Sequence, residues 1–144
     1  MNQSTLKTPV HLWIVGILSL LWNTVGAFDY TATQYRIESY ISQFNPEQLD
    51  YFYAFPTWVD AAWAVGVWGA LLGSIFLLLR KSFSVWLFGV AILGLAGTSV
   101  YSFLLSNGAA MMGDGAVTFT AVIWAIALFL YFYASTMITR RVLG

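Results

Sequence analysis

Six side chains in the first half of the chain have the chemistry of a binding site for an uncharged, hydroxyl-bearing solute: Asn23, Asp29, Gln34, Trp58, Asp60 and Trp63. Carboxylates and amides exchange hydrogen bonds with hydroxyl groups, and indole rings offer a broad apolar surface with one polar edge. Asp60, Trp63, Val67, Ala70 and Ser74 follow one another at helical spacing, so a carboxylate sits above an aromatic ring on a single stripe suited to lining a cavity. Gly94, Thr98 and Tyr101 share a second face, and Thr120, Trp124 and Tyr131 a third. Structural roles compete for the same residues. Asp60 at a helix start is favoured by the helix dipole, and the amide of Asn23 can hold a neighbouring helix.

Bond-making chemistry has no visible apparatus. There is no cysteine, hence no thiolate nucleophile, thiolate metal site or disulfide. One histidine, His11 beside Trp13, cannot supply paired histidine ligands to a haem, which leaves His with Met as the formal alternative, and it reads as an interfacial anchor. No glycine-rich phosphate loop or nucleophile–base pair occurs, and no lysine lies within an apolar stretch to form a retinal Schiff base. The expectation is no enzyme, no cofactor and no metal. A formal net charge of zero gives no basic footprint for nucleic acid.

The elements that must position these residues are set by lipid. Hydrophobic residues make up 60% of the 144 positions and charged residues 8%, a balance that a water-soluble domain could not bury. Four apolar stretches, residues 10–28, 57–79, 83–105 and 116–138, are each long enough to cross a hydrocarbon core of about 30 Å as a helix. Helix is required because lipid leaves open backbone groups unpaired. The short connection Arg80-Lys81-Ser82 and the flexible loop 106–115 predict an up-down four-helix bundle, all-α, in one transmembrane domain spanning 1–144.

Basic residues set the orientation. Lys7, Arg80, Lys81, Arg140 and Arg141 fall before the first span, between the second and third, and after the fourth, which places both termini in the cytoplasm. Asp29, Glu38, Glu47, Asp50, Asp60 and Asp114 fall in, or at the edge of, the opposite segments, with Arg36 as the exception. Lys7, the following apolar run and Val25-Gly26-Ala27 also resemble a cleavable signal peptide. Retention is favoured by Trp13 and Trp22, and by the stripe Gly16, Ser19, Asn23, Gly26 and Tyr30, which suits a helix packed in a bundle.

Residues 29–56 are too polar to span. Tyr30, Ile37, Ile41 and Phe44 share a face, which predicts an amphipathic helix on the outer membrane surface. Asn45-Pro46-Glu47-Gln48 reads as a fresh helix start with a capping box, and the aromatic run 51–55 before Pro56 reads as an interfacial belt, with ligand binding as the alternative. Close helix packing is expected at Gly16 and Gly26 in the first span, and at Ala62, Gly66, Gly69 and Gly73 in the second.

Three strings carry a family resemblance: Trp22-Asn23-x-x-Gly26-x-x-Asp29-Tyr30-x-x-Thr33-Gln34, Phe52-Tyr53-x-Phe55-Pro56-x-Trp58-x-Asp60-Ala61-Ala62-Trp63, and Gly66-Val67-Trp68-Gly69-x-Leu71-Leu72-Gly73-Ser74. In these the chain resembles, nearly end to end, a family of small proteobacterial membrane proteins often labelled sugar transporters. The resemblance implies a bacterial inner membrane and transport of a sugar, and it assigns no residue a role. Two expectations follow: an oligomeric carrier or pore for a small uncharged sugar-like solute, or a non-catalytic accessory subunit that docks a larger membrane complex through its glycine stripes and aromatic outer segment. In both, the surrounding partner is the lipid bilayer, joined by further copies of the chain or by a larger membrane protein.

Overall fold

The computed structural model of the chain describes residues 8–113 and 115–144. Lys7 and Asp114, used above in the charge sorting, lie outside the described residues. Among the described residues seven α-helices run in the order α1 (Val10–Gln34), α2 (Glu38–Ile41), α3 (Pro46–Tyr53), α4 (Thr57–Leu78), α5 (Phe83–Val100), α6 (Gly108–Met112) and α7 (Gly115–Thr139), with a π-helical turn at Tyr101–Leu105 extending α5. Four of these rods are long and apolar enough to cross a membrane: α1, α4, α5 with its extension, and α7.

The first connection departs from expectation. Instead of starting a surface helix at Tyr30, the backbone continues α1 almost two turns beyond Phe28 and stops at Gln34. Arg36 takes the left-handed conformation (φ 53°), and the Ile37 N–H returns to the Ala32 carbonyl at 3.0 Å, closing the helix end. Its guanidinium lies 3.7 Å from the centroid of the Tyr53 ring, a cation–π contact that helps hold this turn. The predicted amphipathic helix reduces to the single turn α2, and Tyr30 packs edge-on against Trp63 of α4 instead. The reason is tertiary: a ring on α4 outweighs a surface periodicity of four residues. The second helix start is as the local chemistry demands, with Gln48 N–H donating to Asn45 Oδ1 at 2.8 Å and Asn45 N–H to Gln48 Oε1 at 3.2 Å. The 106–115 connection, expected to be a flexible loop, contains α6.

Small residues set the packing. Along α1 and α4 the contacts run in opposite directions: Gly16 against Leu78, Asn23 Nδ2 donating to Ser74 Oγ (2.7 Å) and the Ala70 carbonyl (3.2 Å), Gly26 beside Val67, Tyr30 on Trp63. Helices α4 and α5 pack most extensively. Gly66, Gly69 and Gly73 lie on Leu95, Ala91 and Phe88, and Gly94 presses against the backbone of Ala62 and Gly66. Helix α7 joins antiparallel to α5, with Tyr131 at Gly89 and Trp124 Nε1 donating to Ser99 Oγ at 3.0 Å. The result is an up-down four-helix bundle in the order α1, α4, α5, α7.

Its two ends differ. One gathers Arg80, Lys81, Arg140 and Arg141, and the other gathers Asp29, Glu38, Glu47, Asp50 and Asp60 with Arg36. The basic end is solid, filled by Leu12, Leu77, Phe88, Leu130, Ala134, Met137, Val142 and Leu143. After α7 the chain turns at Arg141 (φ 58°) and tucks under the bundle, where Gly144 donates to the Arg80 carbonyl at 2.9 Å and accepts from Ser82 N–H at 2.8 Å. The acidic half is hollow.

Candidate functional site

The hollow is a cavity of about 590 Å³ walled by all four long helices and roofed by α2, α3 and α6, within the range of about 300–1,000 Å³ typical of small-molecule sites. Asn23 and Asp29 reach it from α1, and Trp63 from α4. Thr98 and Ser102 enter from α5 and its extension, Thr120 from α7. Helices α1 and α7 do not pack backbone to backbone as the other neighbours do. Side chains bridge them, Trp22 to Phe119 at 6.3 Å between ring centroids and His11 to Tyr133 at the basic end.

The six residues singled out from sequence divide into two groups. Asn23, Asp29 and Trp63 line the cavity. Gln34 and Asp60 meet instead at the acidic edge of the α1–α4 seam, Gln34 Nε2 donating to Asp60 Oδ1 at 3.3 Å, and Trp58 is half-exposed with its edge on Tyr101. A turn of helix separates Asp60 from Trp63, and the register of α4 against α1 directs the ring inward and the carboxylate to the seam. On the same stripe Val67 and Ala70 do line the cavity, while the buried Ser74 hydroxyl is engaged by Asn23. Asn23 thus bonds across two helices with its donor group while presenting its remaining surface to the cavity.

Sequence reasoning preferred an interfacial belt to ligand binding for the residues that form the roof. Tyr40, Gln43, Phe44, Phe52 and Phe55 all face the cavity, although the aromatic run had the composition of an interfacial belt. Four ties hold them there. Tyr40 donates to the Asp29 carboxylate, Tyr53 OH to the Thr33 carbonyl at 2.7 Å, Gln48 Nε2 to the Met111 carbonyl at 3.3 Å, and Tyr51 OH pairs with Ser106 Oγ at 2.7 Å. Edge-on ring contacts then run from Phe28 through Tyr40, Phe44 and Phe52 to Phe55, and from Phe55 to Trp63. Each such pair contributes about 0.5–1.5 kcal/mol beyond buried area. The available signal was density: eight aromatic residues between Tyr35 and Trp58 are more than a belt needs.

Burial pushes the Tyr40 hydroxyl up to about 12, and the hydrogen bond to Asp29 and its negative charge act in the same direction, against a smaller opposing bond from Gln43. A phenol whose folded value lies above its unfolded value of about 10 contributes stability that is complete below pH 10 or so and is lost as pH rises through the folded value. An ultraviolet titration of the protein minus that of Tyr40→Phe should therefore show one phenol ionising near pH 12. A difference step near 10 would mean that Tyr40 is neither buried nor tied to Asp29 in solution.

The lining offers hydroxyls, the amides of Asn23 and Gln43 and one carboxylate among a majority of apolar and aromatic groups. Among the described residues no three His, Asp or Glu side chains converge. The fold and this hollow define the class, a small multi-pass membrane protein with a cavity walled by its own helices. Comparison of the chain with protein-family models, curated proteins and solved structures finds no match.

Proposed function

We propose that the protein is a carrier or pore for a small uncharged, sugar-like solute, acting as an oligomer in a bacterial inner membrane with both termini in the cytoplasm. One observation carries this reading: Asp29, Tyr40 and Trp63, from three separate elements, line the same cavity as the hydroxyls of Thr98, Ser102 and Thr120. Hydrogen-bonding groups beside an aromatic face are what a sugar-like ring requires. The orientation rests on Arg80, Lys81, Arg140 and Arg141 gathering at one end, which the positive-inside rule assigns to the cytoplasm. The setting and the transport assignment rest on the resemblance of the Trp22–Gln34, Phe52–Trp63 and Gly66–Ser74 strings.

The alternative, an accessory subunit, takes its partner through the glycine stripes and the aromatic outer segment. Gly16, Gly66, Gly69 and Gly73 are engaged within the chain, so that reading rests on the aromatic outer segment and on the apolar outer faces of α1, α5 and α7.

Uptake of labelled sugars and polyols into vesicles reconstituted with the protein tests the proposal. Trp63→Ala should reduce uptake by about tenfold, the loss of roughly 1.4 kcal/mol of ring contact. Asp60→Asn should leave it nearly unchanged, because that carboxylate faces Gln34 rather than the cavity. No protein-dependent flux of any sugar or polyol, together with recovery of a stoichiometric partner in mild detergent, would favour the accessory reading.

A further inference from the structure

Polar groups are not spread evenly through the cavity. Asp29, Thr33, Tyr40 and Gln43 lie under the roof, and Thr98 and Ser102 face them from the acidic end of α5 and its extension. Deeper, the only polar side chain on the α1 wall is Asn23, whose amide hydrogens are engaged by Ser74 and Ala70. The rest of the deep wall is apolar, with Phe88, Ala91, Leu95, Ile126 and Leu130 among its residues. From Thr98 to Phe88 the α5 wall descends about 15 Å at 1.5 Å per residue. A solute with hydroxyls on every face would leave most of them unpaired in that lower section. A short apolar chain would fit it.

The routes into the cavity narrow the choice further. Below it lies the solid core of Leu12, Leu77, Met137 and Leu143, closed off by the C-terminal tail. Above it the roof is tied to α1 through Tyr40 and Tyr53 and to the α5–α7 connection through Tyr51 and Gln48. The remaining side is the gap between α1 and α7, where the backbones stand apart and Trp22 and Phe119, both lining the cavity, meet ring to ring. That side faces the bilayer.

We infer that the occupant is an amphiphile, an uncharged hydroxyl-bearing head on a short apolar chain, admitted from the membrane between α1 and α7. The head sits under the roof against Asp29, Tyr40 and Thr98, and the chain points down toward Leu130. Among the described lining residues there is no cation to hold an anionic head. The inference rests on the cavity being the solute site proposed above, and it replaces a free sugar with a lipid-soluble one.

Photolabelling of the whole protein in phosphatidylcholine nanodiscs decides it, using an octyl glucoside with a diazirine at the chain end. Labelling of Leu95, Ile126 or Leu130, competed by unlabelled octyl glucoside at least about tenfold better than by methyl glucoside, is the expected result. Equal competition by methyl glucoside would overturn the amphiphile and keep the solute site. Labelling confined to outward residues such as Leu93 and Leu104, with competition by neither, would overturn both. The route has its own test, since the chain contains no cysteine. In the double variant Trp22→Cys, Phe119→Cys, bridging the two thiols with a short reducible crosslinker should abolish deep labelling, and reduction should restore it. Undiminished labelling in the bridged protein would overturn lateral entry.

Discussion

Gly94→Ala is expected to force α4 from α5 and to cost the bundle at least about 3 kcal/mol, the upper end of what overpacking usually costs. A Cβ at this position would lie 2.5 Å from the Ala62 carbonyl oxygen and 2.6 Å from the Gly66 nitrogen. Both are backbone atoms, so no rotamer change relieves the clash and two helices must move apart as rods. The other glycines supply internal controls. At Gly69 the nearest atom is the Leu87 carbonyl oxygen at 3.3 Å, at Gly66 the Leu95 nitrogen at 3.5 Å, and at Gly26 only the Val67 side chain at 3.8 Å. Unfolding in mixed micelles should rank the alanine variants Gly94, then Gly69, with Gly66 and Gly26 close to the parent. If Gly94→Ala unfolds like the parent, the α4–α5 crossing is not where it is described.

Ala127→Trp should produce the largest functional loss with little loss of stability. Ala127 lines the lower cavity on α7, between Ile123 and Leu130 and facing open space. An indole placed there fills volume that the folded protein leaves empty, so it avoids the strain of inserting atoms into a packed core and gains apolar contact. Uptake or amphiphile binding should fall by about a hundredfold, equivalent to roughly 2.7 kcal/mol. Thermal stability in detergent should stay level or rise. Loss of folding would place Ala127 against packed neighbours, and full activity in a stable variant would mean that the solute does not use the cavity. Together with Trp63→Ala, which removes a contact at the top, this variant separates loss of recognition from loss of space.

Some of this arrangement was legible without tertiary information. The four spans follow from hydropathy and length, since lipid accepts nothing but closed backbone hydrogen bonding, and their ends were placed to within a turn except at the end of α1. The capping box at Asn45 and Gln48 was legible because both partners lie within four residues of each other. The stripe Gly16, Ser19, Asn23, Gly26 and Tyr30 marked the face of α1 that meets α4, because small and polar side chains are where helices can approach closely in an apolar solvent.

What local pattern does not contain is which partner each face receives. Gly94 shared a polar face with Thr98 and gave no sign of being the tightest crossing, since closeness depends on the register of α5 against α4. Asp60 and Trp63 looked like one site because they are a turn apart, and the seam with α1 divides them. The aromatic residues from Tyr40 to Phe55 are as amphipathic at a membrane surface as over a cavity, and only the ties to Asp29, Thr33, Ser106 and Met111 turn them inward. Composition and spacing by themselves determine that the chain lies in lipid and how many times it crosses. The hollow, its graded polarity and its open side exist only once α1 and α7 are held apart across α4 and α5, because an empty volume is a property of the distances between helices.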